Sequence, residues 1–176
     1  KKLIRIGGKG DGGYLLPDDL SHISACFSPG VDVTSTFEEE LAEKYSLKSF
    51  MADFSVDKPP VANKLFHFDK KFLGNKNDEK FIRLEDWVKS NTNDNSDLIL
   101  QMDIEGAEYE VIIDTPREVF KKFRIMAIEF HSLDMIFNKN AFKMMEAVFD
   151  KLSSDFTVAH IHPNNSRPII NKNSID

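Results

Sequence analysis

The chain has 176 residues, of which 41% are hydrophobic and 15 are phenylalanine, so it is long enough to form one ordinary domain with a substantial core. Its formal net charge is −6 and its lysines and arginines form no basic stripe, which argues against nucleic-acid binding. Cys26 is the only cysteine, no apolar run is long enough to span a membrane and no signal-peptide core is visible, so we expect a cytoplasmic protein.

Alternating strand and helix patterns begin after an N-terminal glycine-rich segment. The spacing of Ser35 and Glu38 predicts a capping box at the start of the first helix. Phe37, Leu41 and Tyr45 recur at helical spacing on one face of that helix. In order, the predicted elements of the first half are a strand at Ser24–Ser28, this helix, strands at Ser49–Phe54 and Leu65–Phe68, and a helix at Arg83–Ser90.

The second half continues the alternation. Its predicted elements are a strand at Leu98–Asp103, a helix with Thr115 as its cap, a strand at Ile125–Phe130, a helix at Lys139–Leu152 and a sixth strand at Thr157–Ile161. Such alternation predicts a doubly wound, mostly parallel α/β sheet with helices on both faces. We expect a single domain, with an N-terminal segment at 1–23, an α/β core at 24–165 and a tail at 166–176.

Polar side chains follow several of these strands at the point where each strand ends. They are Asp53, Asp69, Asp103, His131 and His162. Parallel strands place their carboxyl ends on one edge of the sheet, where open α/β sheets bind ligands. We therefore expect one site on that edge.

The most informative segment is Asp103-Ile104-Glu105-Gly106-Ala107-Glu108, which directly follows an apolar strand. Acids at the start of a helix complement its dipole, and this alone could account for one carboxylate. Three carboxylates around a glycine favour a functional site, because unpaired carboxylates are costly to bury and so must face water, a cation or a reacting hydroxyl.

Asp53 narrows the class of ligand. It follows the second strand, 23 residues after Gly30, where an acid can accept hydrogen bonds from the ribose hydroxyls of an adenosine cofactor. The turn Phe27–Val33 has one glycine where a dinucleotide fingerprint needs three, and it carries no Walker A lysine, so NAD, FAD and nucleotide triphosphates are disfavoured. An adenosine cofactor without a diphosphate remains, and S-adenosylmethionine fits that description.

The same residues resemble FkbM-type methyltransferases. The segment Asp103–Glu108 matches the strand-four signature of that family, and further similarity lies in the DGGY element Asp11–Tyr14, in Gly30, in Phe37-Glu38 and in Ile128–His131. The resemblance implies a Rossmann-like fold of the class I methyltransferase type and S-adenosylmethionine as donor. It also implies O-methylation of a hydroxyl on a sugar, glycoconjugate or other polar metabolite. Methyltransferases of this fold end in an antiparallel hairpin, whereas only Arg167–Asp176 follow Ser166 here, so we expect a C-terminal strand to be missing.

The polar residues at the strand ends and the family resemblance together indicate candidate site residues. Asp103, Glu105 and His131 are the candidate catalytic residues, with His131 suited to accept a proton near neutral pH or, alternatively, to cap the backbone. The candidate cofactor-binding residues are Asp11, Gly12, Gly13, Tyr14, Gly30, Phe37, Glu38 and Asp53. The candidate acceptor-binding residues are Glu108, His162 and Asn164. The expected partner is a small-molecule or glycan acceptor.

Three alternatives stay open at this stage. Asp103, Glu105, Glu129 and His131 could hold a divalent metal, although we assign no metal ligand. The same acids and histidines could serve a metal-dependent hydrolase, which the absence of a His-Glu-x-x-His motif disfavours. The chain could also be a non-catalytic binding module on a methyltransferase-like scaffold.

Overall fold

The structure is a computed structural model that describes residues 1–10, 12–93 and 95–163. The strands are β1 (Leu3–Ile6), β2 (Tyr14–Pro17), β3 (Ala25–Pro29), β4 (Lys48–Ala52), β5 (Phe66–Asp69), β6 (Phe72–Gly74), β7 (Phe81–Arg83), β8 (Leu98–Met102) and β9 (Phe123–Ile128). The helices are α1 (Thr36–Tyr45), α2 (Leu84–Asn91), α3 (Glu108–Asp114), α4 (Arg117–Phe120), a short 3-10 helix (Leu133–Phe137) and α5 (Lys139–Ser153).

The central sheet consists of five parallel strands in the order β5-β4-β3-β8-β9. All residues of β3 and β8 are buried, as expected for the middle strands of a parallel sheet that is covered on both faces. Alternate side chains enter two separate cores: Phe27 and Leu100 pack on one face, and Cys26 and Ile99 pack on the other.

Helices cover both faces of this sheet. Helix α1 and the β1–β2 hairpin pack on the face that contains Cys26, whereas α2, α3, α4 and α5 pack on the face that contains Phe27. The centre of the larger core is aromatic, because Phe27 stacks on Phe50 and meets Trp87 and Phe123 edge-on. This arrangement confirms the predicted Rossmann-like, doubly wound α/β fold.

Some local predictions were wrong. The sixth strand predicted at Thr157–Ile161 does not form, and Val158 and Ile161 lie exposed, because the segment finds no neighbouring strand in the described part of the chain. Ser35 and Glu38 form no capping box, since the Ser35 hydroxyl bonds Glu39 and the Glu38 side chain turns into the core.

The N-cap predicted for the helix that became α4 was also wrong. Thr115 ends α3 rather than capping the next helix, because its hydroxyl donates to the Val111 carbonyl. Pro116 takes the cap position of α4.

Three short features were not predicted from the sequence. The strands β1 and β2 form an antiparallel hairpin around the glycine-rich run, and β6 and β7 pair in a small parallel sheet of their own. Helix α3 follows the acidic segment and buries Tyr109, Val111 and Ile112.

None of the helices within the described residues is long and apolar enough to cross a membrane.

Candidate functional site

A cavity of about 780 Å³ lies at the carboxyl ends of β3, β4 and β8. Its size falls in the range of pockets that hold small molecules and cofactors. Both apolar side chains and carboxylates line it. Among the residues that line it are Gly12, Tyr14, Gly30, Asp32, Phe37, Glu38, Asp53, Phe72, Leu73, Phe81, Gln101, Asp103, Ile104 and Glu105.

Asp53 follows β4 and is held in place by three donors. The Asp32 N–H donates to Oδ2 at 2.8 Å, and the N–H and hydroxyl of Ser55 donate to Oδ1 at 2.8 and 2.6 Å. Only 4% of Asp53 is exposed. A carboxylate offers about four acceptor directions, so this one keeps capacity for a further donor from the cavity.

Gly30 brings the ends of β3 and β8 together. Its φ is +84°, and a Cβ at this position would lie 1.5 Å from the Asp103 carbonyl oxygen. Only glycine combines this backbone conformation with so close an approach. The loop after β3 therefore packs directly against Asp103, and Asp53 and Asp103 reach the same cavity from the two strands that flank β3.

A buried polar network crosses the floor of the cavity. The Ser28 hydroxyl lies between Glu38 Oε1 and Gln101 Oε1, and Gln101 Nε2 donates to the Tyr14 hydroxyl at 3.1 Å. Glu38 is 3% exposed and takes part in none of the ion pairs found among the described residues. Burial raises the pKa of Glu38 to about 7, although the hydrogen bond with Ser28 opposes this shift.

The N-terminal hairpin closes one side of the cavity. The Gly7 N–H donates to Glu40 and the Gly8 N–H donates to Thr36, which ties the glycine-rich turn to helix α1. The Tyr14 ring meets Phe37 edge-on with its centroid 5.7 Å away. The hairpin is therefore part of the site and not only a leading turn.

His131 is not among the residues that line the cavity, but it lies beside two acids that do, Asp103 and Glu105. Its Nε2 is 3.6 Å from both Asp103 Oδ1 and Glu105 Oε2, and its Nδ1 is 3.0 Å from Glu108 Oε1. Partial burial would lower the pKa of His131, but the hydrogen bond and charge of Glu108 and the charges of Asp103 and Glu105 together raise it above its ordinary value.

Strained backbone is found around this site. Asp32 and Glu105 line the cavity and Ser132 follows His131, and all three have positive φ values, of 45°, 54° and 57°. Non-glycine residues in this region carry strain and cluster at functional sites. The strain is consistent with loops that are shaped for a ligand.

Three of the predicted site residues also have the spacing of a metal site. Asp103, Glu105 and His131 each offer one ligand atom within 4.8 Å of the others, whereas Glu129 is not part of this group. The Glu105 side chain is 86% exposed, and exposed acidic groups commonly occur without an ion. We assign no metal ligands here.

The structure brings most of the predicted residues together. Gly12, Tyr14, Gly30, Phe37, Glu38, Asp53, Asp103 and Glu105 all line the cavity. Gly13 packs against the Gly8 carbonyl within the hairpin turn. Asp11 and Asn164 lie outside the described residues.

Other predicted residues lie elsewhere. Asp69 ends β5 but accepts from the Trp87 indole at 2.8 Å. Glu108 is fully buried behind His131. His162 does not follow a strand and is exposed beside His160.

Two parts of the site were not predicted from the sequence: the buried network around Ser28 and the aromatic side chains Phe72 and Phe81 in the cavity lining. Ser28 and Gln101 are polar residues inside otherwise apolar strands, and that interruption was a usable signal. Phe72 and Phe81 enter the cavity wall from the small β6–β7 sheet, for which the sequence has no periodic pattern.

Comparison with known proteins yields one match. The sequence model of the Methyltransferase FkbM domain family matches residues 31–156, which is well over half of the chain. Searches of curated proteins and of solved structures returned no match.

Proposed function

The chain belongs to the FkbM methyltransferase family, and from this membership we propose that it is an S-adenosylmethionine-dependent O-methyltransferase acting on a hydroxyl of a sugar or similar polar metabolite. The observation that carries the proposal is the convergence of Asp53 and Asp103 on one cavity of about 780 Å³. A methyl donor with an adenosine moiety needs such a pocket at the carboxyl ends of the strands.

The residues present fit this donor. Phe37, Leu73 and Phe72 give the cavity apolar surface for a purine ring, and Asp53 keeps acceptor capacity for a ribose hydroxyl. Glu38 and Asp103 supply carboxyl groups for the cationic end of the donor. A buried carboxyl that has no cation of its own is suited to receive an ammonium group from a ligand.

Bound in this cavity, the donor supplies an activated methyl group, whose carbon bonds to the acceptor oxygen as the carbon–sulfur bond breaks and its electron pair stays on sulfur. The protein then has two tasks, which are to align the reactants and to take the hydroxyl proton. Alignment alone can lower the barrier by roughly 7–11 kcal/mol. A positioned base adds about 10²–10⁴-fold to the rate.

His131 is the base in this proposal. Its Nε2 lies 3.6 Å from Asp103 and from Glu105, which line the cavity, and these carboxylates stabilise the imidazolium that forms on proton transfer. Glu105 is largely exposed and so can also accept hydrogen bonds from other hydroxyls of a polar acceptor. This ring of acceptor groups supports a polyhydroxylated substrate.

Isothermal titration calorimetry with S-adenosylhomocysteine tests the donor site. We expect the wild-type protein to bind it at sub-millimolar concentration. Asp53→Asn should weaken binding roughly 10- to 100-fold, because a hydrogen bond to a charged group contributes about 1.5–3 kcal/mol.

Asp57→Asn is the matched control. Asp57 lies four positions away, is exposed and pairs with Lys70 at the surface, so its loss should leave the dissociation constant unchanged. Absence of binding by the wild type, or equal affinity of the two variants and the wild type, would refute the proposed donor site.

A further inference from the structure

Glu108 is a fully buried carboxyl that the sequence placed on the acceptor side. In the structure its Oε1 accepts from the Ile104 and Gly106 N–H groups, each at 3.2 Å, and also faces His131 Nδ1 at 3.0 Å. The next residue, Tyr109, donates from its hydroxyl to the His131 carbonyl at 2.8 Å. The first turn of α3 thus holds both the backbone and the ring of His131.

These contacts decide which nitrogen of His131 carries the proton. A backbone N–H can only donate, so Glu108 Oε1 acts as an acceptor towards both Ile104 and Gly106. The other oxygen, Oε2, is buried and has no hydrogen-bond partner among the described residues, so Oε1 makes all the contacts of this carboxyl. The third contact of Oε1 is satisfied when His131 Nδ1–H donates to it.

We propose that Glu108 is a positioning residue that holds His131 as the Nδ1–H tautomer, so that Nε2 presents its lone pair to the acceptor hydroxyl. This inference rests on the proposed function for the identity of the acceptor, but its geometry does not depend on a bound donor. The hydroxyl proton passes to Nε2 as the oxygen gains the methyl group, and the resulting imidazolium keeps its Nδ1–H bond to Glu108. A carboxylate behind the ring orients the imidazole and stabilises its charged form.

The groups that face His131 define what a variant must change. Among the described residues, the carboxylates within 4 Å of the His131 ring are Glu108 on α3 and Asp103 and Glu105 on the loop after β8, while the Tyr109 hydroxyl donates to the His131 carbonyl oxygen. Glu108→Gln keeps an amide oxygen for the three donors but removes the negative charge. Glu110→Gln is the matched control, because Glu110 lies two positions further along the same helix and is exposed.

Nitrogen-15 NMR of the histidine side chains, recorded across a pH titration of the protein without ligand, tests the inference. The expected wild-type result is a neutral His131 with its proton on Nδ1 and an unprotonated Nε2. Glu108→Gln should keep this tautomer and lower the pKa of His131 by about one unit, as expected for loss of an adjacent opposite charge. Glu110→Gln should leave both readouts as they are in the wild type.

A wild-type His131 protonated on Nε2 would overturn the inference even if Glu108→Gln failed to fold. Equal pKa values for His131 in the two variants would also overturn it. Calorimetry with S-adenosylhomocysteine separates this failure from failure of the proposed function. Donor binding with the wrong tautomer refutes only the role of Glu108, whereas the correct tautomer without donor binding refutes the proposed function and the catalytic use of His131 with it.

Discussion

At the scale of single residues, the Ser28 hydroxyl lies within hydrogen-bond distance of both Glu38 and Gln101 in the floor of the cavity. A serine hydroxyl has one proton, so Ser28 can donate to only one of the two oxygens beside it. A proton on the Glu38 carboxyl satisfies the second contact, which agrees with a pKa raised to about 7 by burial. The network is therefore complete when Glu38 is neutral.

This state makes the stability of the protein depend on pH. The pKa of Glu38 is near 4.5 when unfolded and about 7 when folded, so between these values the folded state holds a proton that the unfolded state has released. The stabilisation that the protonated Glu38 carboxyl contributes to the folded state is fully present below pH 4.5 and is lost as the pH rises through about 7. The difference of about 2.5 units corresponds to about 3 kcal/mol.

Glu38→Gln should remove this dependence. We expect the variant to unfold at a higher urea concentration than the wild type at pH 8, with a gain of up to about 3 kcal/mol, and to differ little from it at pH 5. Glu43→Gln, an exposed position of the same helix, serves as the control and should show no such difference. A Glu38→Gln variant that is less stable than the wild type at pH 8 would contradict a pKa of Glu38 that burial raises on folding.

At the scale of elements, the loop after β3 packs against the end of β8 and so joins the side of the cavity with Asp53 to the side with Asp103. Gly30→Ala should destabilise the fold by about 2–5 kcal/mol, because the new methyl group would overlap the Asp103 carbonyl and φ of +84° strains any L residue. Urea denaturation measures this effect. Gly10→Ala is the control, since no atom lies within 4 Å of a Cβ built there, and it should change stability by less than about 0.5 kcal/mol. Equal stability of the two variants would contradict the packing of this loop against β8.

The elements that the sequence predicted well are those with a strong periodic pattern. The strands β3, β4, β8 and β9 lie within about two residues of their predicted positions, and α5 matches its predicted range almost throughout. A strand that is buried on both faces is a continuous apolar run, and a helix that is buried on one face repeats apolar residues at helical spacing, so both patterns are visible in the sequence. The Thr157–Ile161 segment failed, since alternation alone cannot show whether a partner strand is present. The short strands β6 and β7 and the β1–β2 hairpin depend on tertiary contacts and turn geometry, which a single sequence does not display.

The site was predictable in a similar, partial way. Asp53 and Asp103 could be placed because parallel topology brings strand ends together. The burial of Glu108 could not be foreseen, because an acid in the first turn of a helix is normally solvated. Its position follows from the turn at Glu105 and Gly106, both of which have positive φ.

At the scale of the whole molecule, the cavity is assembled from distant parts of the chain. The sheet edge supplies the carboxylates, helix α1 supplies Phe37 and Glu38, the β1–β2 hairpin supplies Tyr14, and the β6–β7 sheet supplies Phe72 and Phe81. The five-stranded sheet fixes the distance between Asp53 and Asp103, while the β1–β2 hairpin and the small parallel β6–β7 sheet shape the walls. A ligand that bridges these parts should stabilise the whole fold by mass action.

A crystal structure of the protein grown with S-adenosylhomocysteine tests the central claim most directly. We expect a ribose hydroxyl within hydrogen-bond distance of the Asp53 carboxylate and the sulfur on the side of Asp103 and His131. Clear density for the ligand at any other place, or an empty cavity at saturating concentration, would contradict the account.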